Sequence, residues 1–269
     1  MEQLLQHLVN GLVLGGTYAL LGIGLTLIFG LMNVVNFAHG EFYTLGAYAA
    51  FAALGWICEV TLLRPLRSES IDTTMLVMIG VWIAMQNAEL LVWGGVAKSI
   101  PHPFPTAPLV LGPIAIAPLR LFVLLIAVGL IAASWLLIQK TKLGRAMRAT
   151  FQDRDTAALM GVSIGRVHAA TFAFGSALAS AAGALLGPVF LVYPSMGDLA
   201  SLKAFSVVIL GGLGNLTGAT VGGLLLGIAE ELGAGYISSG YRDAVGFVII
   251  IMVLLLRPSG LFARQERIG

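Results

Sequence analysis

The chain has 269 residues, a formal net charge of +2 and a mean hydropathy of +0.94, with 58% hydrophobic and 10% charged residues. Soluble domains carry about 25% charged residues, so this composition excludes a soluble protein, and its hydrophobicity excludes a disordered one. The single cysteine excludes a disulfide framework, and the small net charge excludes a nucleic-acid-binding surface. We expect an all-α, polytopic membrane helix bundle.

Seven stretches are apolar and long enough to enter a membrane, which a helix crosses with about 20 residues. In chain order they are Leu8–Met32, Phe42–Leu63, Thr74–Val96, Leu119–Ile138, Val167–Val192, Ala200–Leu232 and Asp243–Leu256. The first stretch has no basic region before it and is too long for the core of a secretion signal, so it should remain as a span. No second domain is visible, which predicts one transmembrane domain over residues 1–269.

A polar segment, Asn33–Glu41, lies between the first two stretches. Ionisable groups at membrane depth are costly and mark a pathway or a partner, whereas in a turn at the membrane surface they cost little. Two Asn, one His and one Glu within nine residues favour a conduit or a broken helix. The candidate pathway residues are Asn36, Phe37, His39 and Glu41. A metal site is not expected, because no third ligand lies near His39 and Glu41 in sequence.

Further carboxylates lie in the third and sixth stretches. Gln86 and Glu89 are three residues apart and share a helical face, which predicts a polar stripe that faces the bundle interior. The alternative for Glu89 is a position among the lipid headgroups. For Glu230 and Glu231 we expect that headgroup position.

Two loops differ in composition from the spans. Lys98–Pro118 contains six prolines, which cannot form a straight helix, and predicts an ordered periplasmic loop. Lys140–Arg166 holds six of the fifteen Lys and Arg residues and predicts a cytoplasmic loop. Further basic residues predict that the segment after the second stretch and the C-terminus are cytoplasmic as well: Arg64, Arg67, Arg257, Arg264 and Arg267. Ala200–Leu232 must then start and finish outside the cytoplasm.

The basic loop also contains a short helix signal. Asp155 is typical of a helix start and Gly161 of a helix end. A positively charged anchor explains the Arg and Lys residues, but exposed apolar residues at 157–159 require a partner. We therefore predict a docking surface formed by Asp153, Arg154, Asp155, Thr156, Ala157, Ala158, Leu159 and Gly161.

Glycines interrupt the sixth stretch. The turn at Gly211–Asn215 predicts two half-helices in a re-entrant hairpin over residues 200–232, while a single tilted helix is the alternative. Its candidate pathway residues are Gly211, Gly212, Gly214 and Asn215. Small residues at every fourth position predict close helix packing; they are Gly175, Ala179, Gly183 and Gly187, and Gly214, Gly218 and Gly222.

Motifs for catalysis are missing. The chain has no phosphate-binding loop, no H-E-x-x-H and no G-x-S-x-G. We expect a protein that is not an enzyme and needs no cofactor.

Several of these pieces resemble one known family. They are Gly16–Leu20, Asn36–Glu41, Arg64–Arg67, Leu143–Ala149, Lys203–Phe205, Leu210–Asn215 and Gly222–Glu230. End to end, the chain resembles the membrane subunits of ATP-binding-cassette importers for branched-chain amino acids, the LivH type. The resemblance implies a bacterial inner-membrane location, a second related permease, two cytoplasmic ATP-binding subunits that hydrolyse ATP, and a periplasmic solute-binding protein.

Importers of this kind dock their ATPase through a loop with a Glu-Ala-Ala…Gly pattern, and Asp155-Thr156-Ala157 and Gly161 match that spacing. The chain departs from the pattern at Asp155, at Thr156, and at Phe174 in place of a later Pro. It is also shorter than its relatives by about one span, with a seam at Ala53–Trp56. One crossing more or fewer reverses the side of the membrane on which the N-terminus lies, so that side stays open.

The resemblance implies import of aliphatic amino acids, but the motifs do not name the solute. A urea or short-amide permease of the same importer type is an alternative. A different class is a secondary transporter in which Glu41 or Glu89 carries a proton. A channel is a weaker alternative, because no filter motif is visible.

Overall fold

The computed structural model describes residues 2–48, 61, 71–111, 114–257 and 260–262. Within these ranges the chain forms ten α-helices and one two-stranded sheet. The helices are α1 (Glu2–Met32), α2 (His39–Tyr48), α3 (Ile71–Trp93), α4 (Pro118–Lys140), α5 (Lys142–Gln152), α6 (Arg154–Leu159), α7 (Ile164–Leu186), α8 (Met196–Gly211), α9 (Leu216–Tyr236) and α10 (Arg242–Leu256).

The sheet is a small exception to the predicted all-α fold. Strands β1 (Leu109–Leu111) and β2 (Ile114–Ile116) pair antiparallel, with Leu109 opposite Ile116. They lie inside the proline-rich loop, which ends where Pro118 starts α4. Proline suits the first turn of a helix because the amide hydrogen that it lacks would have no partner there.

Five segments of the described chain are long and apolar enough to cross a membrane. They are α1, α3, α4, α7 and the segment Ser239–Leu256, which includes α10. Helices suit the hydrocarbon because they satisfy their own backbone hydrogen bonds. The polytopic helix bundle is thus confirmed. The predicted stretch Phe42–Leu63 coincides with α2 as far as Tyr48. Apart from Thr61, its remainder lies outside the described residues, as do the seam at Ala53–Trp56, Arg64 and Arg67.

The loops gather at two opposite ends of the bundle, which α1 connects. At one end, Ala115 donates its backbone N–H to Gln6 near the start of α1, and Lys98 pairs with Val192 in a β-bridge. We call this the proline-rich end. At the other end, the ring of Phe151 in α5 packs against Gly30 near the end of α1. We call this the basic end, because it carries α5 and α6.

The chain segment 196–236 forms a broken hairpin. Helices α8 and α9 are bent by 119° at the break, which confirms two helices rather than a single tilted one. Gly212 (φ 92°) and Gly214 (φ 77°) adopt the left-handed region that favours glycine. The Asn215 side chain then accepts the N–H of Gly218 at 3.0 Å and starts α9.

The first turn of α8 lies beside Gly40, whereas the end of α9 lies beside His7 at the proline-rich end. The turn itself lies at the basic end, next to Phe151. The hairpin therefore starts and ends on the proline-rich side of its turn.

The small residues at every fourth position pack inside the bundle, as predicted. Gly175 lies against Gly24 of α1, and Gly218 lies against Gly211 across the hairpin. At Gly183 the approach is closest, because an added Cβ would overlap the carbonyl oxygen of Tyr43 in α2. Close backbone approach replaces hydrophobic burial as the driving force for helix association in lipid.

Gly183→Val is expected to destabilise the bundle strongly, because α7 and α2 would have to separate. Overpacking costs about 1–3 kcal/mol, and a clash with backbone belongs at the upper end of that range. Thermal unfolding of the purified protein in detergent measures the effect. The matched control is Gly129→Val in α4, since nothing lies within 4 Å of a Cβ at that position. Equal midpoints for the two variants would contradict this packing.

Candidate functional site

The basic end carries two short helices that follow α4. Thr141 caps α5 by accepting the N–H of Gly144 at 3.0 Å. Asp153 caps α6 by accepting the N–H groups of Asp155 and Thr156, both at 3.0 Å. The sequence-based assignment of the helix start to Asp155 is therefore wrong by two residues, because the extended backbone at Asp153 places its carboxylate over the first turn.

The cap of α6 is a charged one. The hydroxyl of Thr156 also donates to Asp153 at 2.5 Å. This bond and the two backbone N–H groups hold the pKa of Asp153 below its ordinary value. The carboxylate therefore stays ionised at neutral pH, where it also complements the helix dipole.

The end of α6 presents apolar side chains to the surroundings. Leu159 is 88% exposed and Met160 is 81% exposed, and Ala158 is exposed beside them. Ala157, expected on this surface, is instead buried, with 5% exposure. Gly161 ends the helix with φ +85°, as predicted. These exposed residues lie outside the spans, and we call them the α6 tip (residues 158–160).

The glycine turn lies next to α5. Gly214 packs against the ring of Phe151, and Asn215 donates its side-chain amide to the carbonyl of Phe262 at 2.6 Å. A cavity of about 460 Å³ opens here, and its lining includes Thr26, Arg148, Phe151, Gly214 and Asn215. The sequence predicted that this turn and Asn36, His39 and Glu41 line one pathway. In the structure the turn lies beside Phe151, whereas His39 lies beside Leu21 in the middle of α1.

The segment that joins α1 and α2 re-enters the bundle without helical structure. Residues 33–36 are irregular, and α2 starts at His39, whose Nε2 lies 3.1 Å from the carbonyl oxygen of Leu21 in the middle of α1. Ser201 of α8 fixes the segment, because its hydroxyl accepts the N–H of Gly40 at 2.9 Å and donates to the carbonyl of Phe37. The irregular segment therefore runs back from the end of α1 to the level of Leu21.

Buried polar atoms without partners concentrate here. Asn36, His39 and Glu41 are fully buried. Both amide atoms of Asn36, Nδ1 of His39 and both oxygens of Glu41 have no hydrogen-bond partner of ordinary geometry among the described residues. Such groups are rare in native proteins and require an explanation.

Glu41 lies in a cluster of three carboxyl groups, with Glu89 of α3 and Asp198 of α8. The side chains of Glu41 and Glu89 interact directly with each other, although no hydrogen bond of ordinary geometry joins the buried oxygens of Glu89 to a described residue. Asp198 accepts hydrogen bonds from Trp82 at 3.0 Å and from Gln86 at 3.1 Å. Gln86 and Glu89 thus face the bundle together. We call this group the carboxyl cluster (Glu41, Glu89 and Asp198).

A second charged group lies toward the proline-rich end, and the sequence did not predict it. Lys203 of α8 forms ion pairs with Glu230 of α9 and with Asp243 of α10, the latter at 2.8 Å. Tyr18 of α1 donates its hydroxyl to Glu230 at 3.0 Å. Glu230, expected at the lipid headgroups, instead faces the interior of the bundle: its side chain is 0% exposed and pairs with Lys203.

Glu231, also expected among the headgroups, is buried as well. It accepts a hydrogen bond from Arg242 at 3.0 Å, and the ring of His7 lies 3.8 Å away. A lysine inside an apolar helix and a glutamate in the next helix were the sequence signal for these pairs, since each alone would be costly.

A family model matches most of the chain. It is described as "Branched-chain amino acid transport system / permease component", and it matches residues 7–55 and 52–255. The match is in two pieces that meet where the sequence predicts a missing span. No solved structure matches the chain.

Named relatives cover nearly the whole chain. The chain is 36% identical to the high-affinity branched-chain amino acid transport system permease protein BraD of Pseudomonas aeruginosa, over 97% of this chain and 96% of that protein. It is 34% identical to the permease protein LivH of Escherichia coli K12, with the same coverage. The ribose import permease protein RbsC of Escherichia coli K12 is 25% identical over 64% of this chain and 50% of that protein.

Proposed function

Because the chain belongs to the family of branched-chain amino acid transport system permease components, we propose that it is the membrane-spanning subunit of an ATP-driven importer for branched-chain amino acids. Residues 1–269 form its single permease domain. The observation that carries the proposal is the similarity to two permeases of that name over 97% of the chain. The same observation favours aliphatic amino acids over urea or short amides.

The α6 tip supports an energy source outside this chain. Leu159 and Met160 are exposed at the basic end, where lipid does not cover them. A cytoplasmic ATP-binding subunit bound to this tip would displace α6 when it changes conformation. The displacement would reach the glycine turn through α5, because Phe151 of α5 packs against Gly214. ATP hydrolysis thus belongs to two partner subunits, and a second permease and a periplasmic solute-binding protein complete the importer.

The orientation follows from the two ends. Lys140, Lys142, Arg145, Arg148 and Arg154 lie at the basic end, which the positive-inside rule assigns to the cytoplasm. Residues 260–262 lie at this end too, since Leu261 donates its backbone N–H to Leu210 near the turn. We infer an inner-membrane protein with a cytoplasmic C-terminus, whose α1 starts at the periplasmic side.

The unpartnered buried groups support a translocation pathway through the bundle. Asn36 has an amide oxygen without a hydrogen bond of ordinary geometry among the described residues, and Glu41 and Glu89 face each other nearby. An ammonium group in transit would bond to these oxygens. Phe37 and His39 hold this segment in place. The turn formed by Gly211, Gly212, Gly214 and Asn215, with the cavity beside it, forms the cytoplasmic end of the pathway.

Reconstitution in vesicles tests the proposal. The chain, co-purified with its ATP-binding subunits, should accumulate radiolabelled leucine when ATP and the solute-binding protein are supplied, also in the presence of an uncoupler. The chain alone should accumulate none, because it has no nucleotide-binding motif. Accumulation by the chain alone, driven by a proton gradient, would instead establish a secondary transporter that uses Glu41 or Glu89.

A further inference from the structure

A cavity of about 420 Å³ opens toward the proline-rich end of the bundle. Helices α1, α2, α8 and α10, the end of α7 and the segment after it form its walls. The size is within the range of about 300–1,000 Å³ that small-molecule sites have. It is separate from the carboxyl cluster, because Met196, Leu199 and Lys203 of α8 face the cavity while Asp198 faces α3.

The walls of this cavity combine apolar side chains with charges of both signs. Leu14, Leu186 and Leu199 are among the apolar residues, and Lys203, Arg242 and Asp243 supply the charges. Binding sites for small molecules have this composition, in which apolar walls hold the body of the ligand and a few polar groups orient it.

The charged side chains that line the cavity are Lys203, Arg242 and Asp243. Lys203 is paired with Glu230 and Arg242 with Glu231, and neither of these glutamates lines the cavity. Asp243 is therefore the acid in the wall that can receive an ammonium group. Lys203 and Arg242 beside it offer N–H donors to a carboxylate.

One of the three acids can exchange its partner. Glu230 is 0% exposed and holds Lys203 from inside the bundle, while the side chain of Asp243 is 48% exposed. Asp243 can thus separate from Lys203 without leaving a buried charge unpaired. An incoming ammonium group would then pair with Asp243, and the carboxylate of the same molecule would replace Asp243 as a partner of Lys203.

We propose that this cavity is the periplasmic reception site for a zwitterionic α-amino acid with an aliphatic side chain. Asp243 accepts the ammonium group, Lys203 and Arg242 bind the carboxylate, and the leucine residues of the wall contact the aliphatic part. The inference rests on the proposed function and names the place where the permease first binds its substrate.

The first test removes the charge of Asp243 and leaves its shape. In the reconstituted importer, Asp243→Asn should lower leucine uptake at least about tenfold, since a hydrogen bond between charged groups is worth that factor or more. The matched control is Asp72→Asn, an exposed aspartate in the first turn of α3, which should transport like wild type. Co-purified ATP-binding subunits verify that each variant assembles.

The second test probes occupancy directly. Cys58 is the single cysteine, so a Cys58→Ser, Leu199→Cys chain carries one thiol at the exposed Leu199 position of the wall. Leucine supplied with its binding protein should slow modification by a membrane-impermeant maleimide several-fold, and ribose should not. The site is overturned if Asp243→Asn transports within twofold of wild type, or if leucine leaves the labelling rate unchanged. Absence of leucine uptake in wild type would instead refute the proposed function.

Discussion

Lys203→Met is expected to lower the free energy of unfolding by about 3–5 kcal/mol, the usual cost of removing one partner of a buried ion pair. Methionine fills the space of the lysine stem but leaves Glu230 fully buried, with the Tyr18 hydroxyl as its remaining donor among the described residues. Helices α1, α8, α9 and α10 all contribute to this contact, so its loss weakens the packing of four helices. The midpoint of thermal unfolding in detergent measures the effect.

A second substitution separates the lost charge from the lost side chain. Lys203→Met with Glu230→Gln removes both charges, and we expect it to recover most of the stability, because the uncompensated carboxylate is then gone. The control Lys98→Met makes the same change at an exposed loop position and should leave the midpoint unchanged. A double variant as unstable as Lys203→Met would show that the ion pair is not the cause.

The spans could be predicted from the sequence because their signal is local. An apolar run of about 20 residues has few alternatives to a membrane helix, and α1, α3, α4 and α7 all follow it. The glycine break between α8 and α9 was predictable too, since positive-φ positions such as Gly212 and Gly214 favour glycine.

The depth of each residue could not be predicted in the same way. The basic residues predicted that the hairpin starts and ends on the same side, but they do not fix which residues its turn contacts. The 119° bend between α8 and α9 decides those contacts. The turn therefore lies beside Phe151 rather than beside His39 and Glu41. Depth is a property of helix tilt and packing, which no single stretch of sequence encodes.

Pairs across helices were also beyond the sequence argument. Glu230 and Glu231 lie near the end of a stretch, which favours the membrane surface when each is considered alone. Their burial depends on Lys203 and Arg242, which come from other helices. Asp198 was missed for the same reason, since its partners Trp82 and Gln86 lie in α3.

Leu159→Asp is expected to abolish most ATP-driven uptake without unfolding the chain. The side chain is 88% exposed, so a charge there costs the isolated subunit little. In a complex the same charge would be buried in the contact with the ATP-binding subunit. Loss of a central contact residue costs about 2 kcal/mol or more, which is a roughly 30-fold weaker association. Co-purification of the ATP-binding subunits and leucine uptake measure the two consequences.

Val110→Asp makes a comparable change at the opposite end, where Val110 is 71% exposed in β1. Because the proposed orientation puts this end on the periplasmic side, away from the ATP-binding subunits, this control should retain co-purification in full. Both variants replace an exposed apolar side chain with a carboxylate, so a difference between them is due to the position of the change and not to its chemistry. If Leu159→Asp kept both its ATP-binding subunits and its uptake, the α6 tip would not be the contact that transmits energy to this permease.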